Sequence, residues 1–307
     1  MTSAIAVLTY NRVKALENIV TGLDRHCASY PRAIFDDHSA KDDTAAALMA
    51  ARTTEPVYQH DWMAKRFKAK LKTSELADPP EWNVFLGSRN LGVAAASNKA
   101  IRWFMEETTA DHLCICNDDL TINADFVDHY AKGHERLRMH LFCFCDFTSE
   151  TYKWAPIRVK AADGSDWNLK LLPRMTGIMM SLTRELVGRI GYYDVSFGKF
   201  GEEHCDYTNR ARFAGAMRLQ DRDLHCLDID TGSPPMLQHL EVESSIQTLE
   251  KPALDRTAYA AMQNASRLYM FTAWHRPYAL YRPRFAGAYE AGGIPVAEMR
   301  SYPLAIQ

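Results

Sequence analysis

Apolar residues follow two rhythms along this chain. Ile5, Ala6, Val7 and Leu8 run unbroken to Thr9, and beyond it Val13, Leu16, Ile19, Val20 and Leu23 recur at helical spacing as far as His26. The first rhythm predicts a buried strand and the second an amphipathic helix lying on it. Apolar runs at 33–35, 83–86, 112–116 and 141–147 predict further strands. Between them, helices are expected at 42–51, where Asp42 and Asp43 occupy the first turn, over the lysine-rich stretch 62–76, at 93–107, and at 124–139 with Asn123 as N-cap. The alternation predicts an α/β fold with a mostly parallel central sheet flanked by helices.

The rhythm breaks over 148–173, which reads as a long loop or small hairpin. It resumes with a strand at 175–182, a helix at 184–190 and a helix at 202–214 stopped by Gly215. Past Pro234-Pro235 a helix is expected at 254–274, followed by a run through Tyr289 in which Arg and Pro alternate with aromatics such as Trp274, Tyr278 and Tyr281. No internal repeat or low-complexity segment is present.

Composition narrows the function classes. The 307 residues are enough for about two domains of ~150 residues, and 47% hydrophobic with 24% charged residues excludes wholesale disorder. With 36 Lys+Arg against 38 Asp+Glu, the chain lacks the basic excess of proteins that track nucleic-acid phosphates. No apolar run approaches the ~20 residues needed to cross a bilayer. The N-terminal apolar run has neither a basic flank nor a small-residue cleavage site, so it reads as a strand and the expected location is the cytoplasm. Of seven cysteines, Cys114, Cys116, Cys143 and Cys145 form two Cys-x-Cys pairs inside apolar runs, the pattern of reduced, strand-filling thiols.

In open parallel sheets, ligands bind beyond the carboxyl ends of the strands. Polar clusters fall at four predicted ends: Thr9-Tyr10-Asn11-Arg12, Asp36-Asp37, Ser88-Arg89-Asn90 and Asn117-Asp118-Asp119. Neither a Gly-x-Gly-x-x-Gly nor a P-loop motif is present, so no glycine cradle for phosphate is available. The carboxylates of Asp118 and Asp119 instead call for a cation. Oxygen ligands suit Mg²⁺ or Mn²⁺, which keep waters and share phosphate oxygens with a substrate.

The segments Ile5 to Arg12, Phe35 to Ser39, Arg89 to Val93 with Asn98, Cys116 to Leu120, and Gly201 to Asp206 with Arg210 and Gly215 together resemble, in order and spacing, a family 2-like glycosyltransferase of the Rossmann-like GT-A fold. The resemblance spans about residues 4–240. It divides the chain into a glycosyltransferase domain at 1–240, with a nucleotide-sugar half at about 1–120 and an acceptor and catalytic half at 121–240, and a C-terminal helical, aromatic and Arg-rich extension at 241–307.

The resemblance implies metal-assisted transfer of a sugar from a nucleoside-diphosphate-sugar, a UDP-sugar first among them, to an acceptor hydroxyl. It places Thr9, Tyr10 and Arg12 along the nucleotide pocket, with Asp37 and Asp36 toward the base. Arg89, Asn90 and Asn98 would help hold the nucleoside. Asn117 to Asp119 takes the place of the metal-binding Asp-x-Asp, which makes Asp119 the direct ligand for Mn²⁺ or Mg²⁺. Asp118 becomes a ribose contact or second ligand, and His239 completes the shell with His225 as fallback. The family's Glu-Asp pair falls on Glu203 and His204. The base of an inverting reaction is therefore His204, or Asp206 on the same helix, and retaining transfer stays open. A nucleotidyltransferase and a non-catalytic module binding a nucleotide sugar or glycan are the alternatives. The acceptor is a glycan, a lipid-linked intermediate, a protein or a modified nucleic-acid base.

Overall fold

The structure is a computed structural model that describes residues 1–39, 53–60, 63–71, 76, 78, 80–87, 89–144, 155–171, 177–193, 203–213, 216–219, 222–223 and 227–240. The expected helices at 42–51 and 254–274, the extension at 241–307, His225 and Glu202 lie outside these residues.

The chain opens with strand β1 (Ser3–Thr9), helix α1 (Val13–His26) and strand β2 (Arg32–Asp36). Every residue of β1 and β2 is buried, as expected of strands covered on both faces. Strands β3 (Thr53–His60), β4 (Met63–Lys70) and β5 (Glu81–Leu86) follow, then helix α2 (Val93–Glu107), strand β6 (His112–Asn117), the short strand β7 (Leu120–Ile122), helix α3 (Phe126–Leu137) and strand β8 (Leu141–Phe144). Next come β9 (Ala155–Lys160), β10 (Asp166–Leu171), β11 (Met179–Thr183), helix α4 (Arg184–Ile190) and helix α5 (Glu203–Phe213). The described chain closes with β12 (Arg218–Leu219), β13 (Arg222–Asp223), β14 (Leu227–Ile229) and β15 (Leu237–His239).

Eight strands form the central sheet in the order β3-β4-β5-β2-β1-β6-β11-β8. Its middle is parallel through β5-β2-β1-β6, and antiparallel pairs extend it at both sides. The α/β architecture expected from the alternation is thus present, with the parallel strands at its centre. A small sheet β14-β10-β9 contains the hairpin anticipated in 148–173, and β15 pairs with β7.

The helix expected over 62–76 is not formed, because β4 occupies the described part of that stretch. Phe67, Ala69 and Leu71 recur with period two, and Ala69 and Leu71 are buried. The good helix propensity of the intervening lysines yields to six-residue antiparallel pairing with β5. Strand β3 carries Pro56 and bulges against β4, which suits its place at the sheet edge.

Helix α3 starts two residues later than expected, and its N-cap is Asp125, which accepts from the Asp128 amide at 3.2 Å. Asn123 is not the cap because its side-chain amide donates to the Pro235 carbonyl at 3.1 Å.

Candidate functional site

The carboxyl ends of β1, β2 and β5 are tied together by their own polar residues. Asp37 donates its amide to the Thr9 carbonyl at 3.0 Å, and Gly87 donates to the Asp36 carbonyl at 2.8 Å. The Asp36 carboxylate accepts from the Ser39 amide at 2.7 Å, and the Ser39 hydroxyl accepts from the Asn11 amide at 2.8 Å. Asn11 has φ +55°, a left-handed conformation that Asn tolerates better than most side chains.

Asp37 organises the loop before α2. It accepts from Leu91 N at 3.0 Å and Gly92 N at 2.6 Å, and Lys99 stands 3.8 Å away. Burial raises the Asp37 pKa above the usual carboxylate value, against the opposing pull of Lys99 and the two amides. Burial likewise lowers the Lys99 pKa, partly countered by Asp37. Lys99 carries no motif and was not anticipated; its one signal is a charge inside an alanine-rich helix. Arg89 is exposed on this loop. The Asn90 side-chain oxygen is buried without a hydrogen-bond partner among the described residues, a group that a ligand N–H or hydroxyl would satisfy.

The second half of the site lies at the end of β6. Strand β6 runs parallel to β1 with Leu8 opposite Asn117, so Thr9 and Arg12 reach the acidic turn. Thr9 Oγ1 donates to Asp118 Oδ2 at 2.8 Å. Arg12 Nη1 lies 3.1 Å from Asp118 Oδ1 and 2.8 Å from Asp119 Oδ2. Burial drives the Asp118 pKa up to about 7; Arg12 resists this, while the neighbouring Asp119 charge adds to it. Burial acts the same way on Asp119, but His239 and Arg12 outweigh it and hold its pKa below the usual value.

His239 arrives through the pairing of β15 with β7, which sets it opposite Leu120, and its Nε2 lies 3.7 Å from Asp119 Oδ2. Asp119 Oδ1 is buried with no hydrogen-bond partner among the described residues. That free lone pair beside an imidazole fits a hard divalent ion. Both Asp118 oxygens are engaged by Thr9 and Arg12, and no group of three or more metal-ligating side chains occurs among the described residues. An ion here would rest on Asp119 and His239 and complete its shell with water and substrate oxygens.

The third group adjoins through β11. Asn117 donates its amide to the Ile178 carbonyl at 2.9 Å, which sets Gly177 beside the acidic turn. The His204 ring, from the first turn of α5, lies against Gly177. His204 Nε2 is 3.5 Å from Glu203 Oε1, and the Tyr193 ring stands edge-on at a centroid distance of 5.6 Å. Burial lowers the His204 pKa below the ordinary histidine value, with Glu203 opposing.

Two expected site residues have other tasks. Asp206 is buried, and its Oδ2 accepts from Arg210 Nε at 2.8 Å; Arg210 also donates to the carbonyls of Ile190 and Tyr192. One Asp206 oxygen is thus committed to a structural ion pair. Asn98 is fully buried, donating to the Tyr193 carbonyl at 2.9 Å and accepting from the Tyr193 amide at 2.7 Å. Its amide fixes the residue that packs against His204 instead of facing a nucleoside. Tyr10 is half-buried after β1. Gly177 and Tyr193 were not anticipated, since both matter only through contacts between distant segments.

No protein-family model and no curated protein sequence matches the chain. Among solved structures, 138 chains match it. It is similar to S. aureus TarS at 14% identity and TM-score 0.46, over 75% of this chain and 37% of that one. For S. aureus TarS 1-349 in complex with UDP the values are 13%, 0.46, 75% and 61%. For the same fragment in complex with UDP-GlcNAc they are 14%, 0.46, 97% and 84%. The chain thus spans less than two thirds of the first two. Among the described residues, no helix is long and apolar enough to cross a membrane.

Proposed function

We propose that this chain is a glycosyltransferase that moves a sugar from a nucleoside-diphosphate-sugar to an acceptor hydroxyl. The observation that carries the reading is the convergence of Thr9, Arg12, Asp118, Asp119 and His239 where the parallel strands β1 and β6 end. That is where such sheets bind nucleotides, and the sequence motifs at the same strand ends resemble those of GT-A enzymes.

Tyr10, Arg12, Asp36, Asp37, Arg89 and Asn90 form the donor side. Asp119 and His239 would hold Mn²⁺ or Mg²⁺, which, when bound, supplies positive charge to a leaving diphosphate. His204 takes the acceptor hydroxyl's proton, a role that suits a single, inverting displacement. A positioned base of this kind contributes roughly 10²- to 10⁴-fold.

The test is release of nucleoside diphosphate from a panel of UDP-, GDP- and dTDP-sugars with and without Mn²⁺, alongside calorimetry of Asp119→Ala. Turnover in the wild type and loss of the metal-dependent part of UDP affinity in the variant are expected. Release of inorganic diphosphate from a nucleoside triphosphate would mark a nucleotidyltransferase instead. Tight binding of donor with no release, across sugar, peptide and lipid-linked acceptors, would mark a binding module.

A further inference from the structure

We propose that His38 reads the nucleobase of the donor, its Nε2 accepting the ring N–H that uracil and guanine carry on their pairing edge. The inference rests on the nucleoside-diphosphate-sugar reading above for its ligand, and on the geometry of the β2 and β5 ends for its chemistry.

His38 follows the two carboxylates at the end of β2. Asp36 and Asp37 are buried, whereas His38 is exposed. Both Asp37 oxygens accept loop amides, Oδ1 from Leu91 at 3.1 Å and Oδ2 from Leu91 at 3.0 Å and Gly92 at 2.6 Å. Asp37 therefore serves the donor side through the loop that it holds. Of these three residues, His38 is the one whose side chain a ligand in the cleft can reach.

The imidazole is oriented from within the protein. Its Nδ1 lies 3.2 Å from the Gly87 carbonyl, and a carbonyl oxygen only accepts, so Nδ1 is the nitrogen that carries hydrogen. In the neutral ring the lone pair is then on Nε2, which has no partner among the described residues. Gly87 brings the ends of β5 and β2 together. A Cβ there would fall 2.9 Å from the Asp36 carbonyl oxygen and 3.2 Å from the His38 amide nitrogen, an approach that glycine alone permits.

The backbone is bent where the ring is presented. His38 has φ +68°, in the left-handed region that side chains other than glycine occupy rarely. Bonds on either side hold it there, from the Asp37 amide to the Thr9 carbonyl at 3.0 Å and from the Ser39 amide to the Asp36 carboxylate at 2.7 Å. An exposed polar side chain on a strained backbone, at the end of a parallel sheet where ligands bind, marks a recognition position.

Uracil N3–H and guanine N1–H can each donate to Nε2. Cytosine N3 and adenine N1 are bare at the equivalent place, so two lone pairs would meet. A site whose hydrogen-bonding group goes unmatched discriminates against the wrong ligand.

Calorimetry on the full chain with Mn²⁺ compares UDP, GDP, CDP and ADP. The wild type should bind UDP or GDP at least about tenfold more tightly than CDP and ADP, and the tighter of the first two identifies the nucleobase. His38→Gly, which relieves the positive φ, should lose that preference while its CDP affinity stays unchanged. His38→Phe keeps a ring that stacks but cannot accept a hydrogen bond, and should lose the preference as well. A wild type without the preference, or either variant that retains it, overturns the proposal. If donors are turned over while the preference persists in His38→Gly, the glycosyltransferase reading stands and the His38 contact falls. If the preference depends on His38 but no donor is turned over, the glycosyltransferase reading falls and the nucleobase contact stands.

Discussion

One nitrogen of Arg12, Nη1, lies 2.8 Å from Oδ2 of Asp119 and 3.1 Å from Oδ1 of Asp118, so a single guanidinium is shared by two adjacent carboxylates and balances one of their two charges. Asp118 is buried and Asp119 nearly so; this charge is the main counterweight to desolvation at Asp118, and at Asp119 it acts beside His239. Removing one partner of a buried ion pair leaves the other uncompensated, at a cost of about 3 kcal/mol.

Arg12→Ala is therefore expected to lower the melting temperature strongly in chelator. Mn²⁺ should restore part of the loss, because a bound cation replaces the missing charge. Thermal denaturation with EDTA and with excess Mn²⁺ checks this. Equal melting temperatures in the two buffers would remove Asp119 and His239 as a cation site.

Much of this site was legible because its residues follow directly on strands whose hydrophobic runs are unambiguous. Thr9, Asp37 and Asp118 fall where a buried strand must hand over to a polar loop, and the structure finds all three engaged there. What was not legible depends on contacts between distant segments. Gly177 reads as an ordinary glycine until α5 lays His204 against it. Asn98 reads as a site residue, yet its amide meets the backbone of Tyr193, 95 residues away in sequence. The β4 stretch was misread for a different reason. Lysine and alanine favour helix locally, and only an available partner strand, β5, reverses the preference.

A second prediction concerns two buried histidines, His112 on β6 and His134 on α3. His134 Nδ1 meets the Met139 carbonyl at 2.7 Å, an acceptor only, so that nitrogen carries the proton and Nε2 accepts from the Ser181 hydroxyl at 2.8 Å. The Ser181 oxygen then accepts from His112 Nε2 at 2.8 Å, and His112 Nδ1 accepts from Ser3 Oγ at 3.0 Å. Every hydrogen in this chain has one place, and both rings are neutral.

Burial depresses the His134 pKa to about 3 and holds His112 well below the ordinary value. Below pH ~6.5 the unfolded chain binds protons at these rings while the folded one does not, so stability falls with falling pH until about pH 3. Each histidine contributes a slope of about 1.4 kcal/mol per pH unit. Urea unfolding at pH 7, 6 and 5 should show His134→Gln with a shallower pH dependence than the wild type by about that amount. Parallel curves would show that His134 takes up its proton at the same pH in the folded and unfolded chain, and would overturn its depressed pKa.

The last prediction separates the two candidate bases in the first turn of α5, His204 and Asp206. Asp206 and Arg210 pair at i,i+4 with both side chains buried, and Arg210 also holds the Ile190 and Tyr192 carbonyls at 2.8 and 2.9 Å. Truncating Arg210 would remove Asp206's buried ion-pair partner and a donor to each of the two carbonyls, so Arg210→Ala should destabilise by about 3–5 kcal/mol. Asp206→Asn keeps a hydrogen-bond acceptor for Arg210 and removes only the charge. If Asp206 were the base, that change would abolish transfer. If His204 is the base, Asp206→Asn should keep kcat within about threefold once folded, whereas His204→Ala should lose ~10²-fold or more. Transfer assays on both variants, each verified as folded by circular dichroism, decide between them. An inactive but folded Asp206→Asn beside an active His204→Ala would reverse the assignment.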